Sequence, residues 1–271
     1  MRRIKPSRGL VPVDFGEMWR FRELLYFLTW RDVKARYKQT LLSGFWAVFR
    51  PLAAMVLMAA VFGGLAGIDS GSGVPYPLFL YAGLLPWTYF SSALTNASSS
   101  LVNNGPLISK AYFPRVYAPF AAVAAPLVDF VLSFVVLLGL FAWFSTRPSW
   151  HIVFFPLFVV LLLLVALGVG LWLAGTGVKY RDIPFALPFL LQMGLFATPI
   201  IYPPSLVPEA WRWLLALNPL AGIIDGVRWS LLGAAAPDMT LLAASTVFAV
   251  ALLTTGLYVF RWTERTVADL V

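Results

Sequence analysis

The chain has 271 residues, of which 60% are hydrophobic and only 12% are charged, and its formal net charge is +8. Soluble domains carry about 25% charged residues, so this composition excludes an ordinary soluble protein and predicts a polytopic membrane protein. The chain has no cysteine, which excludes disulfides, thiolate chemistry and cysteine metal sites.

The N-terminal region is basic and then amphipathic. Residues 1–10 carry four cations without the apolar core of a signal peptide. From position 15 to 28, apolar residues recur at helical spacing behind an N-cap pattern formed by Asp14 and Glu17, which predicts a helix lying in the membrane interface. A helix packed in a small soluble domain is the alternative, but the chain has no other soluble segment against which such a helix could pack. A second basic segment, residues 31–38, leads into the first apolar run.

Six apolar runs follow, and each is long enough to cross a hydrocarbon core of about 30 Å at about 20 residues per crossing. They cover residues 44–65, 74–93, 118–144, 152–178, 184–201 and 239–260. The sequence therefore predicts an all-α membrane protein with six transmembrane helices. Residues 44–271 form its membrane domain, and residues 1–43 form a basic cytoplasmic region with the interface helix.

Lysine and arginine residues predict the orientation of the spans. With a cytoplasmic N-terminus, the inner segments hold sixteen of these residues and the outer segments hold three, with Arg50 inside a span. Positive residues concentrate on the cytoplasmic side of membrane proteins, so both ends of the chain are expected there. The net charge therefore reflects topology and attraction to anionic lipid, and not the binding of nucleic acid.

A polar interval, Ser98–Arg115, separates the second and third apolar runs. Asparagine, glycine and proline at 103–106 end any preceding helix, and Leu107 to Phe113 form a short amphipathic segment that Pro114 ends. Such a segment cannot bury its apolar face alone, so it needs lipid or a partner protein. A solvated connector is the alternative.

Another segment, Tyr202–Asp238, is too apolar for a free loop and too broken for one span. Prolines open a short helix around Trp211, and Asn218 with Pro219 starts a second helix that ends at Gly233. These features predict a re-entrant hairpin that dips into the outer leaflet, where turned backbone is tolerated only beside protein or water. A pair of helices resting on the outer surface is the alternative.

Arg50 and Asp129 are the only charges well inside the predicted spans. An unpaired charge at such depth costs about 3 kcal/mol, so each should face protein or water. Arg50 can alternatively extend to the inner headgroups, whereas the aspartate side chain is too short to do so. Asp129 is therefore predicted to be a buried structural residue between helices, with Arg50 as its partner, and not a proton carrier.

Several kinds of chemistry lack their residues in this sequence. No phosphate-binding loop of the form G-x-x-x-x-G-K-[ST] occurs, and no span carries a series of carboxylates or histidines for proton coupling. The single histidine, His151, lies at a helix start where interfacial residues are common. No span contains two carboxylates close together in sequence, so the sequence does not indicate a metal site in the membrane. A membrane protein with a cytoplasmic docking surface and no energy source of its own is expected to obtain its energy from a partner protein.

Six stretches of the chain resemble the permease subunit of ABC-2-type exporters, in the branch that moves O-antigen, capsular polysaccharide or teichoic acid. They are LTWRDVKARYKQ (28–39), GFWAVFRPL (44–52), PYPLFLYAGLLPWTYFS (75–91), LISKAYFPR (107–115), GVKYRDI (177–183) and TPIIYP (198–203). Each stretch alone is a weak signal, but together they occur in order over most of the chain. A drug or lipid exporter of the same fold, and a membrane-embedded enzyme acting on lipid-linked sugars, are the alternatives.

The resemblance implies a homodimeric permease in the cytoplasmic (inner) membrane that exports a lipid-linked polysaccharide. It implies two separate ATPase chains that hold ATP and magnesium, while this chain has no cofactor and no enzymatic activity. It also implies an ATPase-coupling helix, an N-terminal interface helix and outer gate helices. The residues assigned to coupling are Leu107, Ile108, Ser109, Lys110, Tyr112, Phe113 and Arg115. Those of the interface helix are Trp19, Arg31, Lys34 and Arg36, and those of the outer gate are Tyr202, Trp211 and Ile223.

Aromatic residues make up 16% of the chain, and many lie at the ends of the apolar runs. An interfacial aromatic belt accounts for most of them. The apolar faces of sugars can also slide along aromatic rings, which suits a conduit for a polymer. We therefore predict that Trp46, Tyr81, Trp87 and Tyr89 line a substrate channel. Six helices are too few to enclose such a channel, which agrees with the implied dimer.

Overall fold

The computed structural model describes residues 16, 19, 21–38, 43–108, 114–180 and 182–267. Every regular element in these ranges is helical, in agreement with the predicted all-α class. The α-helices are α1 (Arg22–Lys38), α2 (Ser43–Met58), α3 (Tyr76–Asn103), α4 (Gly105–Ile108), α5 (Tyr117–Ala124), α6 (Leu127–Trp143), α7 (Phe155–Lys179), α8 (Ile183–Ala197), α9 (Arg212–Ala216), α10 (Ala221–Leu232) and α11 (Met239–Val267). A π-helix, Ala59–Leu65, extends α2, and 3-10 helices cover Trp150–Phe154, Pro204–Leu206 and Glu209–Trp211.

Four stretches of the described residues are long and apolar enough to cross a membrane. They are Gly44–Leu65, Tyr117–Trp143, Trp150–Lys179 and Met239–Thr263. The predicted run at 184–201 becomes α8, whose 15 residues extend about 22 Å and fall short of a core of about 30 Å. The run at 74–93 becomes the first part of α3, a longer helix whose second half is rich in serine, threonine and asparagine. Six crossings therefore remain a prediction, and four of them have a helix of suitable length and composition.

Helix α3 lies at the centre of the bundle. Nearly every side chain from Tyr76 to Phe90 is buried, and the helix contacts α2, α5, α6, α7, α8 and α10. A helix surrounded by protein can place its polar side chains against other helices or against a cavity instead of hydrocarbon. This position explains how α3 carries polar residues that a lipid-facing helix would avoid.

Helices α7 and α11 form the most extensive helix pair among the described elements. A Cβ atom added to Gly168 would lie 2.5 Å from the carbonyl carbon of Leu252, and one added to Gly256 would lie 2.4 Å from the carbonyl oxygen of Gly168. Small residues at such crossings let two membrane helices bring their backbones into contact. The two glycines thus set the distance between α7 and α11.

Helix α1 differs in extent from its prediction. The sequence predicted an amphipathic helix over 15–28 followed by a second basic segment, 31–38. In the structure Arg22–Lys38 is one helix, and residues 31–38 form its second half. The helix continues because no proline or glycine interrupts this stretch. Leu28 on its buried side packs with Leu101 and Tyr117, and this cluster fixes α1 to the ends of α3 and α5.

Two short helices, α9 and α10, follow α8 where the sequence predicted a hairpin. Asn218 connects this segment: its side-chain oxygen accepts from the backbone amide of Leu220 at 3.0 Å, and its side-chain amide donates to the Thr198 hydroxyl at 2.8 Å. Helix α10 is buried along most of its length and contacts α3, α7 and α11. It ends at Gly233, whose φ of 66° is in the left-handed region that favours glycine. The second helix of this pair therefore packs inside the bundle.

Candidate functional site

An open cavity of about 640 Å³ lies between α1, α2, α3 and α6. Its wall combines aromatic rings, charged groups, and hydroxyl or amide groups. The aromatic residues are Trp46, Trp87, Tyr89 and Phe130, the charged residues are Arg36, Arg50 and Asp129, and the polar residues are Thr88, Ser91, Ser92, Thr95, Asn96 and Ser133. This mixture can contact both the apolar faces and the hydroxyl groups of a sugar.

A polar stripe runs along the face of α3 that borders this cavity. We use this name for Thr88, Ser91, Ser92, Thr95, Asn96, Ser99 and Asn103. Their spacing of three and four residues puts them on one side of the helix, over about 22 Å of its length. The sequence analysis missed this stripe, although the same spacing that reveals an apolar face would have revealed it. The stripe gives the wall of the cavity a row of hydrogen-bonding groups on one helix.

A smaller cavity of about 200 Å³ lies beside the first one, toward the end of α3. Ser99 and Asn103 of the stripe line it, and it shares Arg36 and Asn96 with the larger cavity. The two spaces therefore adjoin along the polar stripe. Together they extend from Trp87 to the segment that precedes α4.

Asp129 accepts two contacts from α1, and neither comes from the predicted partner. Arg36 forms an ion pair with one carboxylate oxygen, and the Tyr37 hydroxyl donates a hydrogen bond to the other. Arg50 lines the same cavity but makes no ion pair with Asp129, so the predicted Arg50–Asp129 pair is wrong. Arg36 reaches Asp129 because the continuous α1 brings its last turn to the first turn of α6.

The ion pair joins two helices at the edge of the cavity. The Asp129 side chain is 24% exposed, so it is partly buried between α1 and α6. Burial, followed by the hydrogen bond to Asp129, raises the pKa of Tyr37. The carboxylate is thus held by a cation and by a phenol that stays protonated at neutral pH. These two contacts join α1 to α6.

A double-mutant cycle should distinguish the two pairings. We expect Asp129→Asn and Arg36→Gln to be non-additive in unfolding free energy by at least about 0.5 kcal/mol, because each removes the same contact. Asp129→Asn and Arg50→Gln should add within about 0.5 kcal/mol. Denaturation of the purified chain in detergent measures both cycles. Strict additivity of the first pair with coupling in the second would restore the Arg50 assignment.

The structure brings three of the four predicted channel aromatics to the cavity. Trp46, Trp87 and Tyr89 line it, and the Tyr89 hydroxyl donates to the carbonyl of Val123 at 3.0 Å. Tyr81 is completely buried instead, and its hydroxyl donates to the carbonyl of Ser133 at 3.2 Å. Because α6 covers α3 at this level, Tyr81 has no surface for a channel, and its predicted lining role does not fit the structure.

One of the predicted interface residues, Arg31, connects α1 to the start of the predicted coupling segment. Arg31 donates to the side-chain oxygen of Asn104 at 2.6 Å, and it pairs with Asp32 at 2.7 Å. Asn104 ends α3 directly before α4, so this contact joins α1 to the start of the segment. The ammonium of Lys34 lies 5.5 Å from the centre of the Trp30 ring on the same helix. Trp19 is largely exposed.

Only part of the predicted coupling segment is described. Leu107 is half-buried against the cluster that contains Leu28 and Leu101, Ile108 ends α4, and Arg115 is half-buried. Four assigned residues lie outside the described part of the chain, namely Ser109, Lys110, Tyr112 and Phe113. Because Leu107 packs on its own chain, a substitution there would also affect the position of α1.

The three predicted outer gate residues do not gather in one place. Ile223 is completely buried in α10, and Trp211 is 59% exposed. Tyr202 is half-buried, and its hydroxyl donates to the carbonyl of Phe196 at 3.3 Å. Ile223 is thus a packing residue in this structure. No wall contains all three side chains.

Arg228 is the residue that the sequence analysis most clearly missed. It was counted among outer loop cations, yet its side chain is fully buried in α10. The guanidinium donates to the carbonyls of Phe79 at 3.3 Å, Pro199 at 2.6 Å and Ile200. It also lies 3.5 Å from the centre of the Phe79 ring, a cation–π contact. The position of this arginine within the apolar stretch that forms α10 is the sequence signal that could have indicated its burial.

Comparison with known proteins assigns the family. A family model described as ABC-2 type transporter matches residues 23–232. The O-antigen export system permease protein RfbA of Myxococcus xanthus is 31% identical over 248 residues, covering 90% of this chain and 94% of that protein. RfbA of Klebsiella pneumoniae is 28% identical over 207 residues, covering 74% of this chain and 77% of that protein. The polysialic acid transport protein KpsM of Escherichia coli is 24% identical over 240 residues, covering 87% of this chain and 91% of that protein.

The match to the family model begins within α1 and includes the central helix, the cavity and the α9–α10 pair. These matches agree with the family that the six sequence stretches predicted. The chain therefore belongs to the ABC-2 type transporter family of membrane permeases.

Proposed function

We propose that this chain is the membrane permease subunit of a transporter that exports a lipid-linked polysaccharide across the cytoplasmic membrane. The polymer is of the O-antigen, capsule or teichoic acid type, and separate ATPase chains with ATP and magnesium drive its export. Family membership makes the chain a transporter permease and not an enzyme. Relatives named for O-antigen export and for polysialic acid transport support the substrate class.

The observation that carries this proposal is the composition of the cavity wall. The polar stripe supplies hydroxyl and amide groups that exchange hydrogen bonds with sugar hydroxyls. Trp46 and Trp87 supply aromatic faces that pack against the apolar sides of sugar rings. Neither set forms a tight, enclosed site, and weak contacts in a row suit a polymer that must keep moving.

Arg50 adds a cation that no described residue neutralises. Arg36 is paired with Asp129, whereas Arg50 makes no ion pair in the described part of the chain. A charge within a membrane helix costs about 3 kcal/mol, so its position calls for a partner. A guanidinium matches the geometry of phosphate oxygens. We therefore assign Arg50 to the phosphate group that links the polymer to its lipid carrier.

The proposed placement in the membrane has six crossings with both chain ends in the cytoplasm. Four crossings use the long apolar stretches, and the other two use α3 and α8 with the turn that follows it. The α9–α10 pair forms the re-entrant hairpin on the outer side. Burial of α10 against protein supports this arrangement, because turned backbone at membrane depth needs protein around it.

The proposed assembly is a homodimer with two ATPase chains. Large apolar side chains are exposed on α2 and α8, among them Phe45, Leu57, Phe185 and Phe189. Lipid or a second copy of the chain must cover them. On the cytoplasmic side, α1 contacts both Asn104 before the coupling segment and Asp129 at the cavity. A shift of that segment on an ATPase would therefore reach the cavity through one rigid helix.

A complementation experiment with one blocking variant tests this function. In a strain that lacks the gene, the wild-type chain should restore surface polysaccharide and purify with an ATPase subunit. Ser92→Trp places an indole in the cavity and should abolish surface polysaccharide while the ATPase still copurifies. Val131→Trp adds the same ring to an exposed position of α6 outside the cavity, and it should export normally.

Other outcomes would contradict the proposal in different ways. Normal export by Ser92→Trp would show that the cavity is not the path. Unchanged surface polysaccharide in the deleted strain, with new sensitivity to a toxic compound, would indicate a drug exporter. Loss of the lipid-linked sugar itself, and not only of its export, would indicate an enzyme acting on that lipid.

A further inference from the structure

A second large cavity, of about 420 Å³, lies at the end of α3 opposite the coupling segment. Residues 70–72, residues 203–205, helices α9 and α10, and residues 234–241 enclose it. The two loop segments meet at Gly71, where an added Cβ would lie 3.8 Å from Pro203. None of the sites described above includes this space. We name it the outer cavity.

The outer cavity contains a carboxylate that is short of donors. Asp225 on α10 is half-buried, and its one hydrogen bond in the described part of the chain comes from the backbone amide of Asp238 at 3.4 Å. Arg228, one turn later, donates to backbone carbonyls and makes no ion pair with it among the described residues. Burial raises the pKa of Asp225, although the charge of Arg228 opposes this effect. The carboxylate therefore has vacant acceptor positions that face the cavity.

Other lining groups supply further unused hydrogen-bonding capacity. Asp238 accepts from the backbone amide of Thr240 at 2.8 Å through one oxygen, and its other oxygen is not used among the described residues. The hydroxyls of Ser72 and Ser205 make no hydrogen bond to another described residue. The two arginines of the wall, Arg212 and Arg228, donate to backbone carbonyls. The unused positions therefore belong to carboxylates and hydroxyls, and they favour a ligand with many O–H donors.

An aromatic ring stands at the same cavity. Trp213 on α9 lines the outer cavity, and 60% of its surface is exposed. Leu215 and the alanines at 234–236 are among the apolar residues of the wall. An exposed indole beside carboxylates matches a sugar ring, which has hydroxyls at its edge and C–H groups on its faces.

We propose that the outer cavity binds one or two sugar residues of the polysaccharide as it leaves the membrane. Asp225 and Asp238 accept hydrogen bonds from sugar hydroxyls, and Trp213 packs against a ring face. The volume lies within the range of small-molecule sites, about 300–1,000 Å³. This inference rests on the proposed polysaccharide export, and it adds a specific recognition site on the outer side.

The test measures binding of a defined probe to the purified chain in lipid nanodiscs. The probe is a set of short oligosaccharides released by mild acid from the surface polysaccharide of the source organism. We expect saturable binding by titration calorimetry. Asp225→Asn and Trp213→Ala should each weaken it about tenfold or more, because each removes a direct contact. Trp143→Ala and Asp182→Asn replace exposed residues of the same types outside the cavity and should leave the affinity unchanged.

Two further measurements keep the outcomes distinct. Melting temperatures of all variants should stay close to that of the wild type, and Trp213→Ala removes an exposed ring, so it tests binding even if Asp225→Asn unfolds. Ser92→Trp should bind the probe normally, since it blocks the other cavity. Absence of saturable binding, or equal losses in the control variants, would overturn the outer site. Restored export in the complementation experiment would then still support the proposed function.

Discussion

Arg228→Met should lower the melting temperature of the detergent-purified chain by about 10 °C. The substitution keeps a long side chain but removes every donor to the carbonyls of Pro199 and Ile200. Each buried carbonyl left without a donor costs about 1–3 kcal/mol, so a loss of about 2–6 kcal/mol is expected. A loss of 1 kcal/mol corresponds to about 2–4 °C for a chain of this size. Arg228→Lys should recover part of the stability, because an ammonium reaches fewer of these acceptors.

Arg212→Met on the neighbouring helix α9 is the matched control for Arg228. Its side chain is 49% exposed, it donates to the carbonyl of Val207 at 3.2 Å, and its distance to Glu209 is 3.8 Å. Exposed ion pairs contribute about 0–1 kcal/mol, so this variant should melt within about 3 °C of the wild type. Equal melting temperatures for the two variants would show that the buried arginine does not hold α10 in place.

Gly168→Ala should prevent recovery of most of the folded chain from the membrane. The added methyl group would lie 2.5 Å from the carbonyl carbon of Leu252 and 2.6 Å from the amide nitrogen of Leu253. These are backbone atoms, so no side-chain rotation relieves the contact, and α7 and α11 must separate. Overpacking of a core costs about 1–3 kcal/mol even where side chains can adjust, and more is expected here. Fluorescence-detected gel filtration of a tagged chain measures the folded yield.

Gly139→Ala in α6 supplies the control for that substitution. No atom lies within 4 Å of the Cβ that this change would add. Alanine favours a helix over glycine by about 1 kcal/mol, so the variant should be as stable as the wild type or slightly more stable. Wild-type yield and melting temperature for Gly168→Ala would mean that α7 and α11 are farther apart than the structure places them.

The candidate site shows where prediction from one sequence succeeds and where it stops. Trp46, Trp87 and Tyr89 were chosen for aromatic character near the ends of apolar runs, and the structure brings them to one cavity. Tyr81, in the middle of the run at 74–93, was predicted together with them for its aromatic character, but it is buried. Sequence periodicity gives the face of a helix, whereas the neighbour that covers this face at a given height depends on packing.

Charge pairing shows the same limit. Depth along two predicted spans suggested Arg50 as the partner of Asp129, but depth gives no distance between helices. Arg36 reaches the carboxylate because α1 runs on without a break to Lys38. Arg228 was counted with the cations of the outer segments, because the stretch around it is too broken for one span. Its burial depends on the backbone carbonyls of Phe79 near the start of α3 and of Pro199 and Ile200 after α8.

The sequence by itself determined the class of this protein, its main membrane stretches, its family and the absence of a nucleotide-binding loop. These properties follow from composition, the length of apolar runs and short motifs, which are all local along the chain. Only the tertiary structure decided which residues share a cavity, which arginine pairs with Asp129, and that Arg228 joins α10 to α3 and to the turn after α8. The contacts of Arg36 with Asp129 and of Arg228 with its three carbonyls join residues that are 28 to 149 positions apart in sequence. Distances between such residues are fixed by how the helices pack, and one sequence does not encode them in any local pattern.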